Sequence, residues 1–279
     1  MSPENYELSA KTTDHNSWKD FDGKIAENWH AMPGYPSESV QAIVAHCSHL
    51  KPAIVVDLGC GTGTFTRQLA AEFDPGCKII GLDPNADMLK QAASLTEGDL
   101  NISYRKSAAE TMPFDNGSIS VLAAAGAAHR FDSLSFYPEA ARVMVESGVL
   151  ALLHNRPDAD RGGFMSEYME IHEHYVPEYR RDWHSTPCGG YCPLPYERDL
   201  SNQDKLEAFS IQRWSWTERV SEATLLAQAL SSTVIARAVH RVGQEKVFSE
   251  VRNAFIKHAD PDGYVNMPYV TEGIFATKK

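Results

Sequence analysis

Short, almost wholly apolar runs alternate along the first half of the chain with longer segments whose apolar residues recur at helical spacing. Over 37–50, Val40, Ile43, Val44 and Cys47 share one face behind a Ser37 placed to cap, which predicts a helix. The run AIVVDLG at 53–59 is too apolar and β-branched for an exposed strand and predicts a buried one. A helix follows from Thr64, with Phe65, Leu69 and Phe73 inward, closed by Pro75 and Gly76. The pattern continues with a strand at 77–83, a helix opening on Asn85 as its cap, strands at 101–107 and 118–125, a helix over 134–146 and a strand at 149–155. Regular alternation of this kind predicts an α/β fold, a doubly wound, mostly parallel sheet with helices on both faces.

After Asn155 the pattern changes. Residues 163–176 predict an amphipathic helix with Met165, Tyr168, Met169, His172 and Tyr175 on one side, and 177–204 are rich in Pro, Gly, Tyr and Cys with little periodicity. Regular structure resumes with a strand at 209–216, helices over about 220–240 and 243–258, and a final strand near the end. The expected organisation is a covering segment at 1–36, a ligand-binding core at 37–155, a substrate cap inserted at 156–204 and the remainder of the core at 205–279. The polar opening stretch and the closing lysines are expected to fray.

Composition narrows the function. Hydrophobic residues make up 43% and aromatics 10% of 279 residues, enough for a sizeable core. The net charge of −11, with no Lys/Arg block, argues against a nucleic-acid partner, whose phosphates demand a basic face. No apolar run approaches the length of a membrane span and no secretory signal is visible, so a cytoplasmic protein without membrane attachment is expected. Five cysteines, an odd number, do not look like a disulfide framework.

The decisive segment is VVDLGCGTGTF at 55–65, a buried strand running into Gly59, Gly61 and Gly63 and then a helix. Glycines suit a sharp turn where a ligand approaches the backbone with no Cβ in the way. The spacing is G-x-G-x-G, whereas dinucleotide binders place a third glycine where Thr64 stands, and no G-K-[ST] follows as in a P-loop. Asp57 puts an anion where a phosphate would be repelled and a cationic ligand welcome. Asp83, 24 residues beyond Gly59, closes the second strand, where an acid suits a ribose diol. The competing reading of Asp83 is a helix cap.

These residues resemble the class I S-adenosylmethionine-dependent methyltransferases, particularly the small-molecule group with the pattern D-x-G-C-G-T-G-x-x-T, here Asp57 through Thr66. The similarity continues through Asp83, Pro84, Met88 and Leu89, the link at 108–120, the stretch AGAAHRFD at 125–132 and EAARVMVESGVLAL at 139–152. The resemblance implies a seven-stranded Rossmann-like methyltransferase sheet with its cap after the fifth strand, and S-adenosylmethionine as cofactor. It implies that Asp57 and the backbone of Gly59, Cys60, Gly61, Thr62 and Gly63 hold the amino-acid moiety, that Asp83 and Pro84 serve the ribose, and that Met88, Ala108, Ala109 and Glu110 line the adenine. Ala125 would lie by the sulfonium and Tyr35 would cover the cofactor. Two departures stand out: Ala108 replaces an acid that relatives often carry, and the covering segment 31–36 lacks their arginine.

The expected reaction is methyl transfer to an O, N or C atom of a small-molecule acceptor in metabolite biosynthesis. His129, four residues past Ala125, is the candidate base, since a hydroxyl or amine acceptor must shed a proton. His129, His154, Tyr168, Trp183 and Tyr191 are the candidate acceptor contacts, in an aromatic cap of the kind that lines small-molecule sites. No metal is expected: His172 and His174, two apart, diverge by about 200° on a helix, and Cys188 and Cys192 lack a second matching pair. Two alternatives remain open. One is a non-methylating enzyme using S-adenosylmethionine structurally; the other, disfavoured by the glycine spacing, is a nicotinamide-dependent oxidoreductase.

Overall fold

The computed structural model describes residues 24–96, 98, 101–186, 190–194 and 196–279. Most of the expected covering segment, and Cys188, lie outside the described residues. Seven strands form one sheet in the order β3-β2-β1-β4-β5-β9-β8. Its first five, β1 (Ile54–Leu58), β2 (Lys78–Asp83), β3 (Ile102–Lys106), β4 (Ile119–Ala125) and β5 (Met144–Pro157), pair in parallel. The sheet then reverses: β9 (Tyr264–Lys278) runs antiparallel to β5, and β8 (Leu206–Ser221) antiparallel to β9. This is the doubly wound, mostly parallel α/β architecture that the alternation predicts.

Because side chains alternate across a strand, neighbouring residues of β1 feed different cores. Val55 packs with α2 (Ser37–His46) and α3 (Thr64–Glu72) through Val40, Ile43, Phe65 and Leu69. Val56 and Leu58 face α5 (Ser133–Val143) and α7 (Tyr196–Ser201) through Phe136, Ala140, Val143 and Leu200. Both faces of the central strands are thus covered, which is why they read as continuous apolar runs. α4 (Ala86–Ser94) opens on Asn85, whose side chain accepts from the backbone N–H groups of Asp87 and Met88 at 2.8 and 3.2 Å, as expected of a cap.

Several boundaries differ from the sequence expectation. Ser37 lies inside α2, and Pro36 occupies the cap position without a side-chain bond. The helix expected over 134–146 ends at Val143, and β5 starts at once, with a register shift against β4 and Ser147 at a φ of 60° before Gly148. The helix expected over about 220–240 is two helices, α8 (Glu222–Ser231) and α9 (Thr233–Val242), hinged at Ser232, whose hydroxyl caps α9 by accepting from Ile235 N at 3.3 Å. α10 (Gln244–His258) follows.

After β5 the chain forms α6 (Gly163–Tyr175) and a small hairpin of β6 (His184–Ser185) with β7 (Tyr191–Cys192). One face of α6 packs with α8, α9 and α10 in a separate apolar cluster that includes Met165, Leu225, Ile235 and Val251. Before the sheet, α1 (Lys24–Asn28) and a 3-10 turn at Trp29–Ala31 form a strap, tied to α8 by Gln228, whose side-chain amide donates to the Ala31 carbonyl at 3.0 Å. Among the described residues no helix is long and apolar enough to cross a membrane.

Candidate active site

The C-terminal tips of β1, β2, β4 and β5 open into one cavity of about 680 Å³. The strap and Tyr35 close one side, α6 and the hairpin another, and the α8–α9 hinge a third. Ligands of open α/β sheets bind at this edge, because strand order reverses there and the loops diverge.

The glycine loop lies at the floor. Gly59, Gly61 and Gly63 have φ of 64°, 54° and 77°, in the left-handed region that other residues rarely adopt. A Cβ at Gly59 would sit 2.5 Å from the Ala127 Cβ, and one at Gly61 would sit 3.2 Å from the Trp29 indole nitrogen. The loop is anchored from β2: Cys60 N donates to the Leu82 carbonyl at 3.0 Å, and Gly61 N donates to Asp83 Oδ2 at 2.9 Å. The other carboxylate oxygen of Asp83 accepts from Asn85 N at 2.8 Å. Asp83 therefore organises the loop and also lines the cavity. A carboxylate has about four acceptor sites, so its two backbone partners leave capacity for a ligand's hydroxyls. Burial raises its pKa against the two backbone bonds.

Asp57 lies beneath the loop and does not reach the cavity wall; nor does Gly63. Asp57 is buried and accepts from Thr66 Oγ1 at 2.6 Å. Burial lifts its pKa to about 7, with Asp83 adding to the rise and the Thr66 bond opposing it. Thr62, also in the loop, has a buried hydroxyl without a hydrogen-bond partner among the described residues.

Every other candidate cofactor residue lines the cavity: Tyr35, Gly59, Cys60, Gly61, Thr62, Pro84, Met88, Ala108, Ala109, Glu110 and Ala125. Met88 packs with Ala26 and Trp29 of the strap. Glu110 Oε1 accepts from Asp132 N at 2.9 Å, tying the link before β4 to the turn after it. Tyr35 stacks edge-on against Phe65, with ring centroids 5.2 Å apart, and a Cβ at Gly126 would lie 2.9 Å from its hydroxyl. Burial first, and the nearby Asp57 second, keep that hydroxyl protonated.

The far end of the cavity carries the five candidate acceptor contacts, His129, His154, Tyr168, Trp183 and Tyr191. His184 of the hairpin joins them, its ring centroid 5.2 Å from that of His129 and 5.5 Å from that of His154. Burial, then His184, Arg130 and His154, holds His129 well below the ordinary imidazole pKa. His154 and His184 fall to about 4, chiefly through burial. All three rings are uncharged near neutral pH. The Nδ1 atoms of His129 and His154 have no hydrogen-bond partner among the described residues. His129 is thus not seen bonding a backbone carbonyl through Nδ1, the orienting role that competes with catalysis. Among the described residues no cluster of His, Cys, Asp or Glu is arranged to hold a metal ion.

Sequence reasoning missed several lining residues. Trp29 and Met32 come from the strap, His184 from the cap, and Met267 and Tyr269 from β9. Trp29 was findable as a lone aromatic before the covering Pro-Gly-Tyr-Pro stretch; the β9 residues carry no local signal. Tyr175 and Tyr196 of the cap, and Trp214 and Trp216 of β8, do not line this cavity.

Residues 55–148 match a family model described as a methyltransferase domain. A provisionally assigned methyltransferase of Dictyostelium discoideum is 34% identical over 131 residues, 47% of this chain and 47% of the relative, so this match spans about half of each. An uncharacterized methyltransferase of Mycobacterium bovis is 27% identical over 251 residues, 88% of this chain and 90% of that one. A solved structure, a provisionally assigned type II methyltransferase of Anaeromyxobacter dehalogenans, shares the fold with a TM-score of 0.61 at 20% identity, over 88% of this chain and 97% of that one. The domain match and the relatives liken this chain to methyltransferases, and the solved structure shares its fold, a mostly parallel Rossmann-like sheet.

Proposed function

We propose that this enzyme transfers a methyl group from S-adenosylmethionine to an O, N or C atom of a small-molecule acceptor, in the cytoplasm and as a step of metabolite biosynthesis. The observation that carries the reading is a single cavity that joins the glycine loop to an aromatic and imidazole compartment. Its enclosure by strap, α6 and hairpin suits a metabolite better than a nucleic-acid strand, in keeping with the net charge of −11.

The residues fit the donor. Backbone N–H groups and the orphan Thr62 hydroxyl of the loop suit the amino-acid end, Asp83 the ribose diol, and Met88 with Ala109 the adenine face. Asp57 acts from beneath, by fixing the loop through Thr66, rather than by contact. When bound, S-adenosylmethionine supplies a methyl group already activated as a sulfonium. The chain's own task is then alignment, and positioning of this kind is worth about 7–11 kcal/mol of barrier. Tyr35 at Gly126 and the strap above the loop exclude water from the donor. His129, uncharged through burial, accepts the proton of a hydroxyl or amine acceptor at a ring nitrogen.

Calorimetry with S-adenosylmethionine and S-adenosylhomocysteine tests the first half, and release of S-adenosylhomocysteine across a panel of phenols, amines and carboxylic acids tests the second. Micromolar binding and acceptor-dependent release are expected. No binding of either compound at millimolar concentration overturns the reading; binding with no release for any acceptor favours the non-methylating alternative.

A further inference from the structure

His172 is the buried imidazole of the cap that the reaction outlined above does not use. It lies on α6, is 4% exposed and lines the cavity. Its Nδ1 is 2.7 Å from the Tyr168 carbonyl oxygen, one helical turn back. A carbonyl only accepts, so Nδ1 carries the proton and the neutral ring keeps its lone pair on Nε2. Nε2 has no hydrogen-bond partner among the described residues and, unlike the buried Nδ1 atoms of His129 and His154, is not sealed from a water-sized neighbour. The ring cannot turn away: Tyr168 meets it edge-on with centroids 4.5 Å apart, and Tyr179 flanks it at 5.9 Å. The Tyr179 hydroxyl is directed elsewhere, to Met169 Sδ at 3.9 Å. Burial holds the ring near a pKa of about 4, with the Tyr168 bond and Glu173 opposing it. A fixed, neutral hydrogen-bond acceptor thus faces an aromatic compartment. The wall's Arg156 and Asp182 neutralise each other at 3.1 Å.

We propose that His172 selects the acceptor: its Nε2 receives a hydrogen bond from an O–H or N–H group of an uncharged, ring-bearing compound lodged beside Tyr168, Tyr179 and Trp183. The assignment rests on the methyltransferase reading only in taking this compartment as the acceptor's. His172 is a specificity-determining residue in this account, and the proton it faces need not be the one lost on methylation. A site built around a buried acceptor discriminates against a ligand that cannot donate, because the acceptor is then left unpaired.

The test uses p-cresol and its methyl ether, 4-methylanisole, which differ in the one donor, titrated into the full-length protein by NMR. Wild type is expected to bind p-cresol about tenfold more tightly than the ether, the equivalent of about 1.4 kcal/mol. H172F, which keeps a flat ring but no acceptor, is expected to lose that preference while S-adenosylhomocysteine affinity stays unchanged. H172Q, whose side-chain carbonyl can accept, restores part of it. Equal affinities for the two probes in wild type, a preference that survives in H172F, or no binding of either probe at millimolar concentration each overturns the proposal. Should p-cresol discrimination follow His172 in protein that binds no S-adenosylhomocysteine, the methyltransferase reading fails and this assignment stands.

Discussion

Asp83 has two roles at one carboxylate. It accepts from Gly61 N and Asn85 N, and it faces the cavity where a ribose would lie. Asp83→Ala leaves two buried N–H groups unpaired, a cost of about 1–3 kcal/mol each where water cannot enter. Denaturant unfolding should register lower stability, and calorimetry a loss of S-adenosylmethionine affinity of more than tenfold; unchanged affinity would reduce Asp83 to a loop anchor. The buried histidines set a pH signature. His172 falls from the ordinary 6.5 to about 4, so in the window between these values the unfolded chain binds its proton and the folded chain does not. Its contribution to stability is complete above pH 6.5 and is lost as pH falls toward 4. Asp57, raised to about 7, runs the other way, being uncharged in the folded state where the unfolded chain is ionised. The wild-type curve mixes the two trends, so the comparison to make is H172Q against wild type: wild type should lose more stability than the variant between pH 6.5 and 4.

At the scale of elements, the β1–α3 turn is the most constrained piece of the molecule. Gly59 combines a φ of 64° with no room for a Cβ beside Ala127. Gly59→Ala carries about 1–2 kcal/mol of backbone strain and also pushes on the turn after β4, so thermal unfolding should shift down while donor affinity falls. An unaltered melting temperature would mean that the turn yields more easily than its geometry implies. This turn was fully legible in sequence, because a buried strand, three glycines and a helix start all agree. The break at Ser232 was written in Ser231, Ser232 and Thr233 but was outweighed by apolar periodicity continuing across it. The early start of β8 had no local signal. Its ends are set by pairing with β9 over most of its length, an interaction between segments far apart in sequence.

At the scale of the molecule, a short polar chain joins four distant segments. The Trp216 indole N–H donates to Thr271 Oγ1 at 2.8 Å, Thr271 Oγ1 donates to Asn155 Oδ1 at 2.6 Å, and Asn155 Nδ2 donates to the Gly34 carbonyl at 2.8 Å. The tip of β5, the antiparallel edge and the strap over the cavity are therefore coupled through one amide. Asn155→Ala should cost about 1–3 kcal/mol and speed amide hydrogen exchange across the strap, without altering the α6–α10 cluster. Exchange confined to β8 and β9 would show that the strap is held by α8 alone.

The chain's own order of residues determined the parallel half of the sheet, the glycine turn, Asp83 at the second strand tip and Asn85 as a cap. Each is a local matter: apolar runs with fixed periods, left-handed backbone that only glycine tolerates, a side chain bonding amides two or three residues away. Tertiary structure alone decided that Asp57 is sealed under the loop, that His184 meets His129 and His154, and that one nitrogen of His172 is bound while the other is bare. Those outcomes depend on which distant segments exclude water from which atom, and burial of that kind has no period to read along a chain.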